Sequence, residues 1–315
     1  MNNRRTHVIL LNGDLMILDL SMPCDFPALC TSLRTLEEAY GFCSVFSCGK
    51  SLLARDIPVL KIGNGSKRLL LVGGVHASEH LTCSLLLRFA ADYCEAAATG
   101  GRMYTLCMPY LLETRTLYII PMLNPDGTEL VLHGPDSARP LDTRLVGMCP
   151  DGDFSHWQAN ARGVDLNHNF AAGFAEYKKL ELAASIVAGA SKYSGEAPES
   201  EPETGAVCSF IRAADIRLLA AFHTQGEEIY CDCNGYCPPM GRAIGATLAR
   251  MCGYKLTHPE GGAAYGGLKD WFITEFGRPG YTFECGRGKN PLDRSMLLPT
   301  YARLREALFH LPVMA

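Results

Sequence analysis

Leu69-Leu70-Leu71-Val72-Gly73-Gly74-Val75-His76-Ala77-Ser78-Glu79-His80 carries a short apolar strand through two glycines into the start of a helix. His76 and Glu79 stand three positions apart just beyond that strand, so an imidazole and a carboxylate can share one helical face and point at one ion. By itself H-x-x-E is a common accident. Its meaning depends on what the rest of the chain brings to it.

Outward from this stretch, strands are expected at 57–62 and 68–73, followed by a helix over 79–97 with Leu81, Leu85, Phe89 and Ala96 near one stripe. Thr116-Leu117-Tyr118-Ile119-Ile120-Pro121 reads as a buried strand ending in the turn Asn124-Pro125-Asp126-Gly127. From 128 to 163 Gly, Pro, Asp and Ser accumulate, and the segment reads as long and irregular, of the kind that carries function. Ser200-Glu201-Pro202-Glu203 has the grammar of a helix start, with Ser200 as the cap of a helix over 201–213. A strand follows over 217–223, then helices over 239–252 and 267–276, a strand over 281–284 and a closing helix over 298–310. At the other end, 8–20 reads as a hairpin turning at Asn12-Gly13, with a helix over 26–40. Residues 1–48 are thus expected to form a hairpin and helix extension packed on a main domain, 49–315. Alternating strands and helices predict a single three-layer α/β/α domain around a mixed, mostly parallel twisted sheet, with its site at strand ends.

A chain of 315 residues, 48% of them apolar, can bury a sizeable core. A formal charge of −4 supplies no basic field for nucleic acid, and no Lys or Arg run suggests a membrane surface, so a small molecule or peptide is the expected partner. Asn12-Gly13-Asp14 interrupts the first apolar run too early for a signal peptide, and no run reaches the roughly 18 apolar residues of a spanning helix. The expected location is the cytoplasm. There the fourteen cysteines would be small buried hydrophobes, with Cys231, Cys233 and Cys237 as free thiols in a loop beside the site. A disulfide or a structural metal at those three is the alternative.

Three strand ends carry polar residues that packing would not choose: His76 after 69–73, His223 after 217–222 and Glu284 after 281–283. Two His and one Glu with a fourth position open form a catalytic zinc set, and a second Glu beside that position can take a proton from water. His80 stands next to Glu79, but the order H-E-x-x-H is absent, so it is expected to pack or support rather than ligate.

At this point the chain resembles the zinc carboxypeptidases of the carboxypeptidase A type. The matching pieces run collinearly: Gly49-Lys50-Ser51 with Arg55-Asp56, His76-x-x-Glu79, Pro121-Met122-Leu123-Asn124-Pro125-Asp126-Gly127, Gly163-Val164-Asp165-Leu166-Asn167-His168-Asn169-Phe170, Ser200-Glu201-Pro202-Glu203-Thr204, His223 and Thr282-Phe283-Glu284. The resemblance implies a carboxypeptidase-like fold and one zinc per chain held by His76, Glu79 and His223. It implies Glu284 as general base and acid, Asp165 as the acceptor that fixes the first histidine's tautomer, and Asn167 as a hydrogen-bond partner of the substrate's carboxylate.

Two positions depart from that pattern. The usual Asn-Arg-Asn stands here as Asn167-His168-Asn169, and the arginine after a Trp is replaced by Gln158 after Trp157. Arg162 is the nearest cation in sequence for either role. The segments Trp157-Gln158-Ala159-Asn160-Ala161-Arg162 and Gly266-Gly267-Leu268-Lys269-Asp270-Trp271 are similar to the bacterial γ-D-glutamyl-diaminopimelate endopeptidases and murein peptide amidases. That similarity implies Lys269 in the pocket reading the residue after the cleaved bond; Tyr265, in the Gly-rich run 261–267, is expected to hydrogen-bond the substrate from a mobile loop. The expected function is zinc-dependent hydrolysis of muropeptide-like small peptides at the γ-D-glutamyl-diaminopimelate bond. The alternatives are a metallocarboxypeptidase or deglutamylase removing acidic C-terminal residues, and a catalytically silent zinc-bound peptide-binding protein.

Overall fold

The computed structural model describes residues 8–11, 15–19 and 22–315. An antiparallel ribbon of β1 (Val8–Leu11) and β2 (Leu15–Asp19) comes first, and its expected Asn12-Gly13 turn lies outside the described residues. Helix α1 (Phe26–Ala39) starts where the Asp25 carboxylate accepts from the Ala28 N–H at 2.9 Å with Pro27 in the first turn, and it buries Leu29, Leu33 and Leu36. Strands β3 (Cys43–Lys50), β4 (Asp56–Ile62) and β5 (Lys67–Val72) follow, then α2 (Leu81–Ala98). A two-residue-stranded ribbon of β6 (Arg102–Met103) and β7 (Leu106–Cys107) leads to α3 (Met108–Thr114) and β8 (Arg115–Ile120). Three helices, α4 (Pro125–His133), α5 (Asp142–Met148) and α6 (Phe174–Ala183), precede α7 (Pro202–Ala214) and β9 (Ile216–His223). The chain closes through β10 (Glu228–Tyr230), α8 (Gly241–Cys252), β11 (Lys255–Thr257), α9 (Leu268–Phe276), β12 (Gly280–Glu284) and α10 (Leu297–Met314).

Eight strands form the middle layer in the order β11-β10-β12-β9-β5-β8-β4-β3. The run β12-β9-β5-β8 is parallel throughout, while β10 on one side and β4 on the other pair antiparallel with it, and β3 pairs antiparallel with β4 at the edge. Leu69 and Leu71 of β5 face a core completed by α1, α2, α8 and α10, whereas Leu70 and Val72 face a second core completed by α7 and α9. The three-layer expectation is therefore borne out. After β5 the chain moves to β8 on one side and later returns to β9 on the other, which makes the carboxyl ends of β5 and β9 the crevice where such sheets bind ligands.

Several local readings change. The division expected at 48/49 falls inside β3, an edge strand of the main sheet, and α1 belongs to the main core. Asn124-Pro125-Asp126-Gly127 starts a helix: the Asn124 side chain accepts from the Gly127 N–H at 3.0 Å and Pro125 takes the first helical position. The residues that make turns also make helix caps, so the tetrapeptide supports both readings. The segment 128–163, expected irregular, holds the rest of α4, all of α5 and two 3-10 turns, gathered around Leu130, Ala138, Leu145, Phe154 and Trp157. Its helices are too short for apolar periodicity to declare itself. Glu201, not Ser200, caps α7; the Ser200 hydroxyl is drawn instead to the Glu201 carboxylate at 3.0 Å.

Candidate active site

His223 and Glu284 are the last residues of neighbouring parallel strands and stand directly opposite each other in register. The third neighbour, β5, runs into Gly73-Gly74, a 3-10 turn over Ala77–Glu79 and α2. Gly74 has φ +55°, and a Cβ there would lie 2.8 Å from Cys83 Sγ, so only glycine lets the chain bend here without strain. The turn is pinned from outside: the Ala77 and Ser78 N–H groups donate to the Gln158 and Trp157 carbonyls at 3.0 and 2.9 Å. His76 and Glu79 are thereby delivered to the end of β9.

Four donor atoms converge. His76 Nδ1 lies 3.0 Å from Glu79 Oε1, His223 Nδ1 lies 3.1 Å from Glu79 Oε2, and the two Nδ1 atoms are 3.3 Å apart. The Asp165 carboxylate sits 3.2 Å from His76 Nε2. A proton held between those two leaves the Nδ1 lone pair free to face the same point as Glu79 and His223 Nδ1. Two imidazole lone pairs and a carboxylate aimed at one another repel unless a cation lies between them, so the donor set fits zinc. Among the described residues His223 Nε2 is buried without a hydrogen-bond partner.

Electrostatics divides the carboxylates. Burial would raise Glu79, but the His76 charge and hydrogen bonds from both histidines outweigh it and bring the carboxyl down to about 2. Asp165 is likewise held well below the usual range against burial by His76 and His168. For Glu284 burial wins: reinforced by Glu79 and Glu228, and opposed by His223 and His76, it pushes the carboxyl up to about 7. Burial alone would lower His76, yet Glu79 and Asp165 raise it well above an ordinary imidazole. A carboxyl near 7 can both accept and return a proton at neutral pH.

Beside this cluster opens a cavity of about 570 Å³ into which His76, Asp165, Asn167, His168, Lys269 and Glu284 all face. His168 is stacked on Tyr177 with ring centroids 3.9 Å apart at 9°, and its Nδ1 meets the Tyr265 carbonyl at 2.9 Å. Lys269 reaches the cavity wall but is buried, with its ammonium held by Asp270 and by the Asp232 carbonyl. Two expected residues turn elsewhere. The Arg162 guanidinium lies 3.3 Å from the buried Glu201 and lines a separate cavity with Arg144 and Tyr193, because Glu201 needs a charge partner there. Tyr265 offers its carbonyl to His168 and lays its ring over Gly173, where a Cβ would lie 2.6 Å from the tyrosine Cδ1.

Sequence reasoning missed Asn290, whose side-chain amide donates to Glu79 Oε1 at 3.2 Å and to the Thr224 carbonyl at 2.6 Å. It also missed Tyr177, Lys192 and Tyr230 on the cavity wall. None belongs to a spaced motif, and each reaches the site only through tertiary contacts. His80 stands outside the ligand group, and burial lowers it to about 4. Cys231, Cys233 and Cys237 are free thiols, with Cys237 Sγ 3.1 Å from the Cys231 carbonyl.

Residues 29–307 match the zinc carboxypeptidase family. A γ-D-glutamyl-L-diamino acid endopeptidase 1 of Lysinibacillus sphaericus is 36% identical over 270 residues, which cover 85% of this chain and 67% of that protein. Among solved structures, bovine thrombin-activatable fibrinolysis inhibitor in complex with tick carboxypeptidase inhibitor superposes with a TM-score of 0.71 at 21% identity, covering 94% of this chain and 98% of that one. The murein-tripeptide amidase MpaA from Escherichia coli O157 superposes at 0.52 with 19% identity over 85% of this chain and 91% of that one. At these identities the two structures speak to the fold; the match along nearly the whole sequence speaks to descent, and the chain belongs to the zinc carboxypeptidase family.

Proposed function

We propose that this protein is a zinc-dependent peptidase that cleaves peptidoglycan-derived peptides at the amide between the γ-carboxyl of D-glutamate and diaminopimelate. The observation that carries the reading is the convergence of His76, Glu79 and His223 on one point with Glu284 beside it, in a chain 36% identical to a γ-D-glutamyl-L-diamino acid endopeptidase. His76 Nδ1, Glu79 and His223 Nδ1 are the ligands we assign to one zinc ion per chain. When bound there, zinc supplies Lewis-acid charge that polarises the scissile carbonyl and acidifies a water.

The chain's own groups do the rest. Asp165 holds His76 in the tautomer that presents Nδ1, while Asn290 and the Thr224 N–H hold the two Glu79 oxygens at 3.2 and 3.1 Å. Glu284, the carboxylate beside that point, takes the proton from water and returns it to the leaving amine. Gln158 lines the cavity and offers an amide donor to the developing oxyanion, the role Arg162 leaves empty by pairing with Glu201. Asn167 and His168 line the same cavity, where we place the substrate. Free muropeptide fragments suit a cavity of about 570 Å³, and we place their hydrolysis in the cytoplasm; no described helix is long and apolar enough to cross a membrane.

The deciding experiment incubates the zinc-loaded protein with L-Ala-γ-D-Glu-diaminopimelate and with an α-linked peptide ending in Glu. Cleavage of the first alone supports the proposal. Release of terminal Glu from the second alone overturns it in favour of a deglutamylase.

A further inference from the structure

The cavity beside Glu284 presents two lysines, and only one of them has its charge answered. Lys269 is buried against Asp270. Lys192 has no ion pair among the described residues, although it lines the same cavity and its side chain stands free. Apart from Glu284, the carboxylates on that wall are engaged. Glu181 is taken by Lys178 at 2.5 Å and by the Ser194 N–H and hydroxyl, Asp165 by His76, and Asp270 by Lys269.

Lys192 is exposed, but its backbone is fixed. It is a non-glycine residue in the left-handed region, φ +68°, a conformation that persists only when neighbours fix it. Two hydrogen bonds do so. The Lys192 N–H donates to Asp165 Oδ2 at 2.9 Å, the second oxygen of the carboxylate that meets His76, and its carbonyl accepts from Tyr177 at 2.7 Å. Tyr177 in turn carries the His168 ring. A single carboxylate thus separates the root of Lys192 from the candidate metal ligands.

We propose that Lys192 reads a substrate carboxylate standing beside the scissile amide. The inference rests on the γ-glutamyl reading above and adds to it the residue that recognises the anion. Two groups on such a peptide have this chemistry. The γ-linkage leaves the α-carboxylate of glutamate free on one side of the amide, and diaminopimelate brings a carboxylate on the other. An unanswered ammonium lining the cavity selects such an anion by charge complementarity, while Lys269, neutralised by Asp270, does not.

The test compares the zinc-loaded protein with its Lys192→Met and Lys192→Arg variants on three peptides. These are L-Ala-γ-D-Glu-diaminopimelate, its analogue with the glutamate α-carboxylate as carboxamide, and its analogue with the diaminopimelate carboxylate nearest the amide as carboxamide. The wild-type protein should lose roughly ten- to a hundredfold in kcat/KM on one of the two analogues, mainly through KM. Which analogue it is names the side of the bond that Lys192 serves. Lys192→Met should lose a similar factor on the parent peptide, lose nothing further on that analogue, and melt at the wild-type temperature; Lys192→Arg should recover most of the loss. A Lys192→Met protein that discriminates among the three peptides as the wild type does overturns the proposal, as does a wild type indifferent to both amidations. Should the wild type cleave no γ-linked peptide but release terminal Glu from an α-linked one, the reading of function fails. Lys192 is then judged by whether Lys192→Met abolishes the preference for terminal Glu over terminal Gln.

Discussion

His223 and Glu284 face each other across one rung of the sheet, the last residues of two parallel strands. The imidazole offered to a metal and the carboxylate offered to a proton are therefore fixed by one hydrogen-bonding register rather than by loops. A slip of one residue in either strand would turn one of them to the opposite face of the sheet.

From that register comes the first prediction, on pH. Burial raises Glu284 to about 7 in the protein without metal. A divalent cation bound by His76, Glu79 and His223 adds positive charge beside it and pulls it down. The base must be ionised, so kcat/KM should fall as pH drops, along an acid limb that lies below the titration of Glu284 in the metal-free protein. Glu284→Gln should cost roughly 10²- to 10⁴-fold in kcat and leave the bound metal in place. A pH–rate profile set against an infrared titration of the metal-free protein checks both. An unchanged hydrolysis rate in Glu284→Gln would favour a silent binding protein.

The second prediction concerns Asn290. Its amide bridges Glu79 Oε1 and the Thr224 carbonyl while its Oδ1 accepts from the Thr224 hydroxyl at 2.7 Å, which ties the carboxylate we propose as a metal ligand to the residue after His223. Removing such support for a ligand costs about 10- to 100-fold in metal affinity. Asn290→Ala should give up zinc to a chelator correspondingly faster, with one ion per chain still bound at saturation and with kcat lowered more than KM is raised. Metal analysis and chelator-release kinetics measure it. An unaltered release rate would reduce Asn290 to a packing role.

What was legible in the sequence follows from these contacts. His76, His223 and Glu284 stand where apolar runs stop, and a polar side chain at the end of a buried strand is visible without coordinates. The fates of Arg162 and Lys269 were not visible. Glu201 lies 39 positions from Arg162, and Lys269 is turned to its neighbour Asp270 by burial beside the Asp232 carbonyl 37 positions away, so whether a cation faces substrate or an internal acid is decided by folding. Helix α6 escaped for another reason: the residues it buries are Tyr177 and Glu181, a face that apolar periodicity does not register. Edge strand β3 escaped because serine, cysteine, glycine and lysine dilute its alternation.

Lys269 gives the third prediction. It was expected to read substrate, and it sits instead in a buried pair with Asp270. Taking away one partner of such a pair leaves an uncompensated charge and costs about 3–5 kcal/mol, whereas removing both with residues of similar volume is often neutral. Lys269→Met should lower the melting temperature sharply, and Lys269→Met with Asp270→Asn should recover much of it. Denaturant unfolding of the two variants decides the matter. A stable Lys269→Met protein with altered substrate preference would return the lysine to the role the sequence suggested.

Glu203 supplies the last. It is fully buried where α7 begins; the Leu52 N–H donates to its Oε1 at 3.0 Å and the Asn160 amide to its Oε2 at 3.3 Å. Burial, with Asp126 adding, raises its carboxyl to about 7 against those hydrogen bonds, from an ordinary 4.5. The folded chain then binds more protons than the unfolded chain between those two values. The stability contributed is fully present below 4.5 and is lost as pH rises through 7, on the order of 3 kcal/mol in all. Glu203→Gln keeps an oxygen for Leu52 and carries no charge, and Asn160 retains Glu201 at 2.8 Å as acceptor. The variant should therefore be more stable than the wild type above pH 7 and should show a flatter stability profile from pH 5 to 8. Urea unfolding across that range measures the slope, and a variant whose profile parallels the wild type's would place the proton on another group.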